Sequence, residues 1–322
     1  MSLMRSATHP TLYRIHPESF RDGNGDGVGD VEGLLAALPY LDALSVDGLV
    51  LPQDWLSHVD SAAATRGLTL WHSDDLGHLY HDGHRQYTHS ALAQQVVPFS
   101  AEKLVEVLNL HRHQLADNVW STGDAEQPRV VSRWGQGDLR SADAFLTLLT
   151  LLPAPICLYQ GEELGLPHAA ALHERQGAQT PMPWHEAPEQ VTAGEIHWYQ
   201  QVAIEHRALA ISRQQHENHS TLSYCQSLLE LRQLSVIQRG ELSEVSQDNG
   251  VIRLLITHQD QCLEALINLQ PYTQSAAPSE ATLPLAWQTA QIQEGHQWVL
   301  AGFSSAIFTR NVNCESRGVT HG

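Results

Sequence analysis

The chain has 322 residues, 42% of them hydrophobic, enough to bury a sizeable core. Its 36 acidic against 18 basic residues give a formal net charge of −18, which repels phosphate backbones and argues against nucleic-acid binding. No apolar run reaches the roughly 18 residues of a membrane helix, and residues 1–20 hold no apolar signal core. Four cysteines (Cys157, Cys225, Cys262, Cys314) lie far apart, a pattern that fits a reducing cytoplasm rather than a disulfide framework or a zinc site.

Residues 12–16 read as a short strand, followed by a Gly/Asp-rich loop over 22–30. Leu34, Leu35, Leu38, Leu41 and Leu44 recur at helical spacing and predict a helix over 31–44. A second apolar strand at 48–51 completes the strand–helix–strand order of a parallel sheet. The stretch 52–98 is dominated by polar residues, with strands expected at 68–71 and 76–80. Ser100 caps a helix predicted through about residue 115. A strand at 119–121, a helix over 141–152 ended by Pro153, and a strand at 156–159 follow. After a loop over 168–194, a helix is expected at 221–234. From about Glu241 the pattern turns to strands, at 251–257, 262–269, 293–300 and 306–310, with an Asn249–Gly250 turn signal. No internal repeat is present.

Three segments carry a resemblance to the α-glucosidases and oligo-1,6-glucosidases of glycoside hydrolase family 13, the α-amylase superfamily. The first is LYRIHPESFRDGNGDGVGDVEGLLAALPYLDALSVDGLVL, residues 12–51. The second is QPRVVSRWG (127–135) with APICLYQGEELGLP (154–167). The third is TPMPW (180–184) with the helix at 221–234 and the β region after it. The resemblance implies a (β/α)8 TIM-type barrel and a C-terminal β-sandwich. Residues 12–167 offer six strands and fall well short of the about 250 residues of a complete barrel. The expectation is therefore an incomplete or remodelled barrel in residues 1–238, a small all-β sandwich in 239–311 and a tail in 312–322. The sheet would be open, rebuilt with fewer strands, or completed by another chain.

A retaining glycosidase needs two carboxyl groups about 5–5.5 Å apart. The family segments that carry them, Gly-Phe-Arg-x-Asp and the acid/base Glu, are not found, and neither is Asp-x-x-x-Asn-His. Only the Asn-His-Asp position can be placed, where the chain reads Asp124-Ala125-Glu126. Weak catalytic candidates are thus Glu126, Asp124, Asp74 and Asp75; the alternative reading is that Asp74 and Asp75 cap a helix or face solvent. Arg129 and Arg175 match family positions near the sugar-binding end. Glu162 and Glu163 fall in a turn that is architectural in the family.

Asp22, Asn24, Asp26, Val28 (through its carbonyl) and Asp30 alternate with glycines and offer oxygens at the spacing of a hard-cation loop. The resemblance implies a structural Ca²⁺ or Mg²⁺ there; the alternative is a metal-free Gly/Asp turn. His78, His81, His84 and His89 cluster in sequence, as chance also allows in a chain with 20 histidines. His111 and His113 are expected to be solvated. Trp55, Trp71, Trp120 and Trp134 are expected to pack rather than to stack on sugar. Three functions follow: a family member without turnover, a weak α-glucosidase with a rebuilt carboxylate pair, or a non-enzymatic module that binds an α-glucoside or oligosaccharide or pairs with a second copy over an open barrel.

Overall fold

The computed structural model describes residues 7–169, 171–172, 175–192, 194–278, 283–292 and 297–311. Seven strands form a closed barrel: β1 (Thr11–Arg14), β2 (Gly48–Val50), β3 (Thr69–Ser73), β4 (His78–His81), β5 (His84–Ala91), β6 (Asn118–Ser121) and β7 (Ile156–Tyr159). They follow one another in chain order, and β7 returns to pair with β1 in parallel, Leu12 opposite Cys157. Six strands run parallel. β4 is the exception, antiparallel to both β3 and β5. Of the three arrangements left open by the sequence, the sheet takes the one rebuilt with fewer strands than eight, and its closure is internal. The argument for a second copy covering an open edge loses its premise.

Alternation along the strands sets the barrel interior. Leu12, Val50, Trp71, Leu79, Val119 and Cys157 form one buried cluster, with Tyr87 packed against it. The helices Val31–Ala43, Leu56–Ala64, Ala101–His111 and Ser141–Thr150 supply much of the larger surrounding core. Asp30 caps the first of these through Gly33 N, and Ser100 caps the third through Lys103 N. Each satisfies a helix-end amide that otherwise has no partner.

A buried guanidinium ties the β1–β7 seam together at its lower end. Arg232 follows the helix Thr221–Leu231 and is fully buried. It donates to the carbonyls of Thr150, Leu152, Ala154 and His9 and to Thr11 Oγ1. Burial lowers its pKa to about 9, and Asp47 opposes the shift.

From Glu241 onward β8 (Glu241–Asp248), β9 (Val251–His258), β10 (Gln261–Asn268), β11 (Gln274–Ala276), β12 (Leu283–Ile292) and β13 (Trp298–Asn311) form one antiparallel sheet. The strands of the expected C-terminal β-sandwich are hydrogen-bonded into a single sheet. The cause is β13, long enough to pair with β10, β11 and β12. Leu242, Leu254, Ile256, Leu263 and Ile307 join the main core, while Val251, Leu266, Trp298, Leu300 and Phe308 form a smaller cluster. The expected tail lies outside the described residues. No helix among the described residues is long and apolar enough to cross a membrane. Cys157 and Cys225 are buried free thiols, and Cys262 is buried.

Replacing Arg232 with Leu leaves Thr150 O, Ala154 O and Thr11 Oγ1 without their donor, while His9 O keeps Gln238 Nε2 and Leu152 O keeps Ala154 N, and should cost about 3 kcal/mol or more, enough to bring a marginal domain close to unfolding. Chemical denaturation of the two proteins measures this, and a loss under about 1 kcal/mol would show that the seam does not rely on the guanidinium.

Candidate active site at the barrel mouth

One step above the apolar interior, the same alternation places a second inward layer. Arg14 lies two residues beyond Leu12, Ser73 beyond Trp71, His89 beyond Tyr87, Ser121 beyond Val119 and Tyr159 beyond Cys157. All five sit toward the C-terminal ends of parallel strands, where the catalytic groups of such barrels stand. Arg14 Nη1 donates to Ser73 Oγ (3.2 Å), and His89 Nε2 meets Ser121 Oγ (2.7 Å). The Nε and Nη2 atoms of Arg14 are buried with no hydrogen-bond partner. Burial and then the Arg14 charge bring the His89 pKa down to about 3. Burial pushes the Tyr159 hydroxyl up to about 12. The layer is cationic and contains no carboxylate.

The carboxylates proposed from sequence lie around this layer, each with its own partners. Asp74 closes the turn between β3 and β4. It accepts from Leu76 N (3.0 Å), His78 N (2.8 Å), His78 Nδ1 (2.8 Å) and Tyr80 Oη (3.1 Å). Desolvation raises its pKa, but these bonds outweigh it and bring the carboxyl down to about 2. Asp75 is exposed beside it. After β6, Asp124 Oδ1 accepts from Glu126 N (2.8 Å), and exposed Glu126 pairs with exposed Arg175 (2.7 Å). The structure thus brings Asp124, Glu126 and Arg175 together, while Asp74 bonds within its own turn and hairpin.

Arg129 is buried and spends two donors on main-chain carbonyls, those of Gln160 (2.8 Å) and Ala178 (3.0 Å), with its guanidinium over the Tyr159 ring. Those bonds make it a brace. Glu162 accepts from Thr122 Oγ1 and Tyr159 N, both at 2.8 Å. Burial raises its pKa to about 7, against the pull of these bonds and of Arg129 and Arg133. Glu163 accepts from the hydroxyls of Tyr13 (2.7 Å) and Tyr40 (2.8 Å) and from Gly161 N (2.8 Å). Both glutamates are thus engaged by hydroxyls and amides of the fold itself.

In the loop at 22–30 the side chains hold the loop's own amides. Asp22 accepts from Gly25 and Gly27, Asn24 from Asp26, Asp26 from Val28, and Asp30 from Gly23, Asn24 and Gly33. Each carboxylate oxygen retains acceptor capacity beyond these bonds, so hard oxygen donors fit a hard cation chemically. Among the described residues, no three His, Cys, Asp or Glu side chains gather as a metal-holding group. The four clustered histidines disperse. His78 bonds Asp74, His81 bonds Leu70 O and stacks on Trp71, His84 is exposed, and His89 bonds Ser121. His111 is not simply solvated, since it packs edge-on against Trp120 at 5.4 Å. Trp71, Trp120 and Trp134 are buried.

Sequence reasoning passed over Arg14 and singled out His89 only as part of the histidine cluster. The signal was present for Arg14: a charged residue two positions after a buried leucine on a barrel strand.

The fold and its mouth define a remodelled TIM-type barrel of the carbohydrate-active kind. The alpha-amylase catalytic-domain model matches residues 75–240, and the chain belongs to that family, glycoside hydrolase family 13. A probable alpha-glucosidase of Rhizobium meliloti (strain 1021) is 25% identical over 219 residues, covering 62% of this chain and 37% of that protein. An oligo-1,6-glucosidase of Parageobacillus thermoglucosidasius is 50% identical over 48 residues, 15% of this chain and 8% of that one. The chain thus spans little over a third of the first relative's length and far less of the second's. Among solved structures, the alpha-glucosyl transfer enzyme XgtA superposes with a TM-score of 0.80 at 16% identity, covering 95% of this chain and 100% of that one. The trehalose-6-phosphate hydrolase of Bacillus licheniformis gives 0.75 at 13% identity, covering 94% and 99%. At these identities the superpositions, which cover nearly all of this chain, show a likeness of fold alone.

The buried ionisable groups set a pH dependence. Burial and Arg232 bring His9 to about 4, and burial and Arg129 bring His206 to about 4, alongside His89 at about 3. Their unfolded value is 6.5, so in the unfolded chain they take up protons first as pH falls. Glu162 works oppositely, holding a proton in the fold up to about 7 against 4.5 unfolded. Between these values the unfolded state binds about two more protons, so stability climbs with pH by on the order of 2 kcal/mol per unit between about pH 4.5 and 6.5. Urea midpoints at pH 5 and pH 7 test this; equal midpoints would refute it.

Proposed function

We propose that this chain is an α-glucosidase-like member of family 13 that has given up glycosidase turnover and keeps the barrel as a non-catalytic, carbohydrate-related scaffold. One observation carries the reading. Where a retaining glycosidase holds a nucleophile and an acid/base about 5–5.5 Å apart, the mouth layer presents Arg14, Ser73, His89, Ser121 and Tyr159. A cationic layer also suits a developing oxocarbenium ion poorly, since like charge raises its energy. Glu126, matched by sequence resemblance alone to the family's Asn-His-Asp segment, is exposed and paired with Arg175. Asp74 is held deprotonated by its turn, which leaves it no proton to give as an acid.

The second reading, a weak α-glucosidase acting on short α-glucosides, rests on Asp124 and Glu126 lying together after β6. Hydrolysis of p-nitrophenyl α-glucoside and maltose by the purified protein separates the two. The expected result is no turnover above the protein-free rate. Turnover that disappears in Glu126→Gln would establish the rebuilt pair instead.

We also propose that Asp22, Asn24, Asp26, the Val28 carbonyl and Asp30 take a structural Ca²⁺ or Mg²⁺. The support is the alternating set of oxygen donors on a short loop, whose mutual repulsion a divalent cation would relieve. Adding millimolar Ca²⁺ to chelator-treated protein should raise Tm by at least about 2 °C, and Asp26→Ala should abolish the rise. An unchanged Tm would leave the loop a Gly/Asp turn held by its own amides.

A further inference from the structure

Arg14 carries its charge in the barrel mouth beside neutral groups. Among the described residues its guanidinium meets the Ser73 hydroxyl (3.2 Å) and lies beside the Cys157 thiol, while Nε and Nη2 have no hydrogen-bond partner. Burial pushes that thiol up to about 11, and Arg14 offsets this only in part, so the sulfur supplies no negative charge. The Tyr159 hydroxyl stays protonated to about 12 and donates away from the layer, to Ala178 O (3.0 Å). Asp124 and Glu162 reach Tyr159 only as more distant charges. Asp124 accepts from Glu126 N, and Glu162 from Thr122 Oγ1 and Tyr159 N. A cation drawn out of water without a carboxylate on its donors is costly, and an arriving anion removes that cost.

The surroundings suit an oxyanion. β1 lies two strands from β3 on one side and two from β6 on the other, so Arg14 stands between Ser73 and Ser121. Both hydroxyls can rotate to donate. Arg14, Ser73 and His89 are only half-buried, which leaves the layer open to solvent from the mouth, while Ser121 and Tyr159 are buried and close its far side. Turning the last torsions of Arg14 presents its planar fork to a ligand, and that fork matches the oxygen spacing of phosphate. A neutral ligand would leave the charge as it stands.

We propose that the barrel mouth binds a phosphate group, held by Arg14 with the Ser73 and Ser121 hydroxyls. This rests on the reading of the mouth as non-catalytic and names what it takes instead. Inorganic phosphate and small phosphate monoesters share this chemistry, and the experiment separates them.

Calorimetric titration of the full chain with inorganic phosphate and, separately, with glycerol phosphate at constant ionic strength tests it. At least one should bind with a Kd of about 1 mM or tighter, and the tighter of the two identifies the source. Arg14→Met should weaken binding at least about tenfold while Tm stays the same or rises, because it removes an uncompensated charge. Ser73→Ala should weaken binding about fivefold, and Lys103→Met, at an exposed cation elsewhere, should bind as wild type does. Absence of binding by both phosphates, undiminished binding in Arg14→Met, or a lowered Tm in that variant would each overturn the proposal; the last would show that the guanidinium is already compensated. Turnover of p-nitrophenyl α-glucoside is read on the same samples. Turnover together with phosphate binding overturns only the loss of hydrolysis, and absence of both overturns only the phosphate site.

Discussion

Closure of the barrel governs everything else in this molecule. A sheet edge exposes unpaired N–H and C=O groups, and a barrel that lacks strands must either leave one or find a substitute. Here the substitute is a hairpin. β4 turns back on β3, and β5 then resumes the parallel direction beside β6. That reversal hangs on the Asp74 turn, where a single carboxylate gathers two main-chain amides, an imidazole and a phenol. Trp71, stacked between His81 and Tyr87, fills the space under the hairpin. One of the four carboxylates that the sequence offered for chemistry is therefore committed to holding the sheet shut.

The same closure determines what the mouth can do. Once β5 runs parallel to β6, His89 lies opposite Val119 and reaches diagonally to Ser121. Burial keeps that imidazole neutral, which lets Arg14 share the layer without a second cation beside it. A layer built this way is stable in water-poor surroundings only because one of its two basic groups is uncharged. Adding the paired carboxylates of a retaining glycosidase would need different residues on the strands themselves, not a shift of loops.

Much of this was legible in the sequence where one face of an element meets a core. The leucine spacing of Val31–Ala43, the Ser100 cap and the apolar strands β1, β2 and β7 all stood out for that reason. β5 did not, because HRQYTHSA has no apolar run; only Tyr87 and Ala91, with His89 between them, face inward. The helix Leu56–Ala64 buries just Val59 and Ala63 and so gives little periodic signal. β8 and β12 alternate weakly, and their pairing is settled by the long partners beside them. The role of Arg129 was hidden for another reason. A buried arginine that donates to carbonyls looks, in sequence, the same as one that binds a sugar hydroxyl.

The segments that resemble the family are also the ones that stitch this barrel together. Glu163, in the YQGEE turn, joins Tyr13 of β1 to Tyr40 of the first long helix, and Glu162 joins β7 to Thr122 beyond β6. Arg129, from the QPR segment, fastens Gln160 after β7 to Ala178. Each contact spans elements far apart in the chain, and each is a buried polar group whose partner cannot be withdrawn without leaving an unsatisfied charge or donor. Such networks constrain residue type as tightly as catalysis does, for reasons of burial alone. A strong likeness in these segments therefore follows from the demands of closure and says nothing about the strand ends that carry the chemistry.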